Sequence, residues 1–187
     1  MGFHTFDADR AATLDDPARF EHCSVEELFG LLPPDTAATV ADLGSGTGLY
    51  TERLAQAYSR VYGVDVQAAM HDYYRERGIA TNVDLVRADI VDLPFSDGEL
   101  DGAVSTFTFH EFADVSALAE CRRTLRAGAS LALVDWSAAG PGEAGPPTAE
   151  RYDAAAAADL LAEAGFVVET ACERCETFAA LARTPQN

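Results

Sequence analysis

Hydrophobic residues fall along the chain in two alternating rhythms, short β-rich runs and longer stretches with apolar residues at helical spacing. The short runs predict buried strands at 39–43, 60–64, 83–87, 100–105 and 130–135. Helices are expected between them, over Leu49 to Tyr58, Gln67 to Arg77 with Gly78 as its stop, and Asp114 to Arg126 with Gly128 as its stop. Strand and helix in alternation imply an α/β fold, a parallel sheet covered on both faces. After a Gly- and Pro-rich loop at 138–147, an alanine-rich helix is expected from Thr148 to Ala164, stopped by Gly165. Two last runs, Phe166 to Ala171 and Thr177 to Ala182, lie too close together for a parallel crossover, so they must form an antiparallel hairpin. The total is seven strands, parallel except the last. Before Thr39, Ser24 caps a short helix with Glu27 in capping-box position and Val25, Leu28, Phe29, Leu31 and Leu32 on its apolar face; Pro33 and Pro34 end it. A length of 187 residues suits one domain. Residues 1–38 read as an N-terminal extension or lid, and 39–187 as the core.

Charge changes the picture. There are 31 acids against 13 bases, a formal net charge of -18, and every base is arginine. The acids are scattered along the whole chain, which reads as a solvated acidic surface suited to a high-salt cytoplasm, that of a halophile, where salt screens self-repulsion. Such a surface disfavours nucleic acid and anionic membranes as partners. No stretch is long and apolar enough to span a bilayer, and the first residues lack the basic-then-apolar pattern of a signal peptide, so a cytoplasmic location is expected. Cys172 and Cys175 form a C-x-x-C that closes a strand, without a second pair at metal-ligand spacing, so no metal site is expected.

The chemistry concentrates where strands end. The first strand runs into Asp42-Leu43-Gly44-Ser45-Gly46-Thr47-Gly48. Glycines allow the backbone to turn sharply and lie against a ligand, and the N–H groups of a following helix would point into the site. Asp65 ends the second strand, where a carboxylate can accept both hydroxyls of a ribose. Asp89 follows the third strand, placed to meet an exocyclic amine. These acids and Asp42 map to one rim of the sheet, where open α/β sheets bind ligands. The third glycine of a dinucleotide turn is replaced by Leu49, and a carboxylate at Asp42 would repel a pyrophosphate but suit a cationic ligand.

The segment Asp42 to Gly48 resembles the first motif of class I S-adenosylmethionine-dependent methyltransferases. Asp65 resembles their ribose-binding acid. Asp89-Ile90 ahead of Leu93-Pro94-Phe95, and Asp101 to His110, resemble the ubiquinone/menaquinone-methyltransferase-like (type 11) branch. The resemblance runs from about Val40 to Arg183 and implies a Rossmann-like doubly wound sheet of order 3-2-1-4-5-7-6. It implies S-adenosylmethionine as cofactor, with Gly44, Ser45, Gly46 and Gly48 lining its methionine end, Asp65 on the ribose, Val66, Asp89 and Ile90 at the adenine, and Thr106 near the methionine amino group.

His110, next to Glu111 at the same rim, is the candidate general base, since an imidazole titrates near about pH 6.5. His4, His22 and Tyr50 could close over the pocket if the extension is a lid. Trp136 reads as packing, and Arg122, Arg123 and Arg126 as a solvated helical face. The expected partner is a small methyl acceptor, with a homodimer possible because the short extension leaves little substrate-binding material. The alternatives are a non-catalytic S-adenosylmethionine-binding protein and an NAD-dependent oxidoreductase.

Overall fold

The computed structural model describes residues 6–186. Seven strands form one sheet: β1 (Asp35–Leu43), β2 (Tyr58–Asp65), β3 (Val83–Arg87), β4 (Leu100–Thr106), β5 (Leu125–Trp136), β6 (Val167–Glu173) and β7 (Thr177–Arg183). Their order is β3-β2-β1-β4-β5-β7-β6. β7 runs antiparallel to both neighbours and the other pairs are parallel. The helices are α1 (Val25–Leu31), α2 (Thr51–Leu54), α3 (Ala68–Arg77), α4 (Phe109–Phe112), α5 (Val115–Thr124) and α6 (Ala154–Glu163). Two buried clusters sandwich the sheet. Leu43, Leu100, Leu131, Leu133 and Phe178 share one with α5 and α6, while Val40, Val61, Val104 and Val134 share the other with Leu28 and Leu54. Alternate residues of β1, β4 and β5 thus serve opposite faces, as a doubly covered sheet requires. Among the described residues, no helix is long and apolar enough to cross a membrane.

Several elements depart from the sequence expectation. The helix expected over Leu49 to Tyr58 is the four-residue α2. The Asn82 amide donates to the carbonyls of Ala55 (2.9 Å) and Tyr58 (3.0 Å), taking acceptors that a longer helix would use, and β2 begins at Tyr58. The helix expected from Thr148 splits into a 3-10 turn at Thr148–Glu150 and α6, because Asp153 caps α6 by accepting from the Ala156 N–H (2.7 Å). Gly128 (φ +75°) turns the chain inside the long β5 rather than closing a helix. The extension carries two 3-10 helices, Ala8–Asp15 and Pro17–Glu21, ahead of α1, and Ser24 caps α1 through the Glu27 N–H (3.1 Å). Arg122, Arg123 and Arg126 do not form one solvated face. Arg126 lies in β5 and pairs with Asp101, while Arg123 binds Glu120, Asp97 and the carbonyls of Leu93 and Phe95, pinning that loop.

Candidate functional site

Backbone geometry builds the site at the carboxyl ends of β1, β2 and β4. The loop after β1 uses positive φ at Gly44 (+79°), Gly46 (+52°) and Gly48 (+87°), which glycine adopts without strain. A Cβ at Gly44 would lie 2.3 Å from Thr108 Cγ2, so the loop and the segment after β4 interlock, with the Thr108 hydroxyl directed at the Gly44 carbonyl (3.2 Å). The Gly44 and Ser45 N–H groups donate to the Val64 carbonyl (2.9 and 2.8 Å), and Asp65 Oδ2 accepts from the Gly46 N–H (2.9 Å). Asp65 Oδ1 accepts from Gln67 N–H (2.8 Å). Each oxygen thus keeps a lone pair unused by the backbone.

The cavity has a volume of about 1020 Å3. Gly44, Ser45, Gly46, Asp65, Val66, Asp89, Ile90, Thr106 and His110 all line it. Asp42 and Gly48 do not. Asp42 is fully buried behind the loop, where Oδ2 accepts from the Thr51 hydroxyl (2.6 Å) and Oδ1 has no hydrogen-bond partner among the described residues. Burial drives its pKa up to about 7, with the Thr51 hydrogen bond opposing and Asp65 adding to the rise. The Asp42 side chain therefore does not face the crevice as its place at a strand end suggested; alternation along β1 turns it inward toward α2. Gly48 packs on the ring of Tyr74.

His110, also on the cavity wall, makes an interaction that sequence spacing could not show. Its Nδ1 lies 2.9 Å from Oδ2 of Asp135, the buried penultimate residue of β5, and its own N–H donates to the same oxygen (2.6 Å). Nε2 of His110 makes no hydrogen bond among the described residues. Burial alone would lower the His110 pKa, but the Asp135 hydrogen bond and charge, with Glu111 and Glu150, outweigh it and raise the pKa above 6.5. Glu111, also lining the cavity, is pushed to about 7, chiefly by burial.

The roof is the extension. Leu14 sits over Gly46, Asp15 accepts from the Thr47 hydroxyl (2.7 Å) and pairs with Arg77, and Gln67 donates to the Phe6 carbonyl (2.9 Å). The sequence named the extension as a lid but not this clasp. Of the residues suggested to close it, His22 and Tyr50 line the cavity and His4 lies outside the described residues. Phe107, which the sequence did not single out, takes φ +58°. Left-handed backbone at a bulky residue is costly and marks functional rims. Its ring packs beside Trp136 (4.9 Å between centroids) and Tyr50 (6.0 Å), so Trp136 is part of the cavity wall as well as packing.

The family described as a methyltransferase domain matches residues 41–133. A solved S-adenosylmethionine-dependent methyltransferase from Aquifex aeolicus superimposes with a TM-score of 0.86 at 30% identity, covering 95% of this chain and 98% of that one. The chain belongs to the S-adenosylmethionine-dependent methyltransferases. Among curated members, the demethylmenaquinone methyltransferase of Corynebacterium kroppenstedtii is 35% identical over 107 residues, 57% of this chain and 45% of that protein. A methyltransferase from Haloferax volcanii, solved in complex with an activator, shares the fold with a TM-score of 0.81 at 19% identity, covering 98% of this chain and all of the other. The match spans about half the length of the curated methyltransferases.

Proposed function

We propose that this methyltransferase moves the methyl group of S-adenosylmethionine to a small-molecule acceptor, with His110 as general base. One observation carries the reading. A single cavity joins the Asp65–glycine-loop end to the His110–Asp135 end.

The residues present fit the cofactor. Asp65 has one lone pair free on each oxygen for the ribose hydroxyls. Val66, Asp89 and Ile90 line the place for the adenine, and Gly44, Gly46 and Thr106 the place for the methionine end. When bound, S-adenosylmethionine supplies a methyl group already activated on a sulfonium. The protein's part is alignment, exclusion of water by the roof, and proton removal. Asp135 fixes the His110 ring through Nδ1, so Nε2 is the atom that takes the acceptor's proton. Asp42 lies behind the loop and does not touch the place for the cofactor.

Residues 6–21 serve as the lid of a single domain. The acidic surface supports a high-salt cytoplasm and argues against nucleic acid as acceptor. The lid leaves a partly roofed pocket suited to a small acceptor, and a second copy of the chain would be needed to extend it for a bulky one.

Calorimetric titration of S-adenosylmethionine and S-adenosylhomocysteine in molar KCl tests the reading, with NAD as control. Both should bind the wild type, and Asp65→Ala should weaken them on the order of a hundredfold, about 2.7 kcal/mol. No binding by folded wild type, or binding of NAD instead, would reject it.

A further inference from the structure

The cavity wall carries a cation with no hydrogen-bond or ion-pair partner among the described residues. Arg19 belongs to the 3-10 helix Pro17–Glu21 and lines the cavity. Its guanidinium carbon lies 4.7 Å from the centroid of Phe107, the residue held at φ +58°. A guanidinium has five N–H donors in a planar fork. Among the described residues, the Arg19 side chain makes no hydrogen bond and no ion pair; its guanidinium lies over the Phe107 ring.

The same chain shows what a buried arginine looks like when its role is structural. Arg151 donates to Glu176 and to the carbonyls of Ser137, Pro146 and Ala144, and so is satisfied on every side. Arg19 lacks any such set. Burial lowers its pKa, and the charges of Tyr50 and Asp135 act against that, but neither residue bonds to it. Asp135 is committed to the His110 ring and main chain and to the Trp136 N–H (2.7 Å). The other carboxylates on this wall do not fill the fork either. Asp16 caps the Ala18 N–H (2.9 Å), Glu21 is exposed, and neither they nor Glu111 pair with Arg19. Arg19 is only half-buried where Arg151 is buried, and a guanidinium partly withdrawn from water favours an acceptor in its fork.

We propose that Arg19 anchors an oxyanion, a carboxylate or phosphate, on the methyl-accepting molecule, whose apolar body lies on Phe107 and Trp136. The fork matches either oxyanion in two parallel hydrogen bonds. Phe107 and Trp136 form a continuous aromatic wall, with His22 against Trp136 at 4.8 Å between centroids. Arg19 and His110 line the same cavity, and both sense Asp135, Arg19 through charge and His110 through a hydrogen bond, so an acceptor held by its anion presents its remaining polar group toward His110. The inference rests on the reading of the glycine-loop end as the cofactor site.

The test uses simple aryl probes: benzoate and phenyl phosphate as anions, and benzamide as the neutral control. Each is titrated by calorimetry into the full chain, with and without saturating S-adenosylhomocysteine, for wild type, Arg19→Gln and Arg19→Lys. The main-chain bonds of residue 19, from its N–H to Asp16 and from Tyr50 and Cys23 to its carbonyl, are untouched by these changes, and melting curves check folding. At least one anion should bind the wild type tenfold or more better than benzamide. Arg19→Gln should reduce that preference to twofold or less, and Arg19→Lys should keep part of it. Absence of anion binding, equal binding of benzamide, or an unchanged preference in folded Arg19→Gln would overturn the proposal. Failure of S-adenosylhomocysteine to bind would instead strike the cofactor reading, and the titrations without it would still decide Arg19.

Discussion

Asp42 is a carboxylate kept where it is least comfortable. It is fully buried, one oxygen has no hydrogen-bond partner among the described residues, and its pKa moves from the ordinary 3.8 to about 7. The folded protein thus holds the Asp42 proton more tightly than the unfolded chain does. The stability this gives is complete below pH 3.8 and is lost as pH rises, levelling off above about 7. At about 1.36 kcal/mol per pH unit, the ionised side chain costs about 4 kcal/mol at pH 8, but less than about 2 kcal/mol at pH 5. Asp42→Asn keeps the shape and the Thr51 contact and has no charge to bury. Urea unfolding of both proteins at pH 5 and pH 8 isolates this one group, because all the other titrations largely cancel in the difference. The Asn variant should gain on the wild type by about 2 to 3 kcal/mol between the two pH values. Parallel pH profiles would show that Asp42 ionises without penalty, and a variant losing ground at pH 8 would show that its charge is stabilised by something absent from this account.

Further outcomes follow from the same geometry. The His110 ring should titrate above 6.5 in NMR, and Asp135→Asn should move that midpoint toward acid; a midpoint indifferent to the substitution would deny Asp135 its role. Gly48→Ala places a Cβ 2.3 Å from the ring of Tyr74 at φ +87°, and Tyr74 cannot swing aside because its hydroxyl is bonded to Glu52 (2.7 Å). The cost should be about 2 to 3 kcal/mol, seen as a melting point lower by roughly 5–10 °C; a melting point unchanged to about 2 °C would contradict it. Melting in low and molar KCl should show clear stabilisation by salt, given a net charge of -18, and no gain would remove the argument for a saline cytoplasm.

The fold was legible because hydrophobic periodicity is a local signal. β3 was placed to the residue, and the strand order followed from the resemblance carried by the glycine turn, Asp65 and the final hairpin. Breaks decided by distant side chains were not legible. Asn82 shortens α2 from more than 20 residues away, and the Asp153 cap divides the last helix. Side-chain direction is a second limit: Asp42 and Asp65 both end strands, yet only Asp65 faces the cavity. His110 could be placed at the rim from its position after β4, whereas Asp135 becomes its partner only through the β4–β5 register. Arg19 and Phe107 carried no pattern, since an unpaired cation and a left-handed aromatic exist only in three dimensions.

The roof over the cavity is one continuous stretch of chain. Leu14 and Asp15 meet the glycine loop at one end of it, and Arg19 stands over Phe107 at the other, only a few residues on. If the glycine loop holds the cofactor as proposed, a displacement of this stretch that frees the loop would carry Arg19 with it. Whatever occupant favours the closed roof at one end therefore favours it for the other, and the favour is mutual: each must tighten the other's binding by the same factor. In such an arrangement, cooperativity between two unlike ligands needs no second subunit and no change in the sheet.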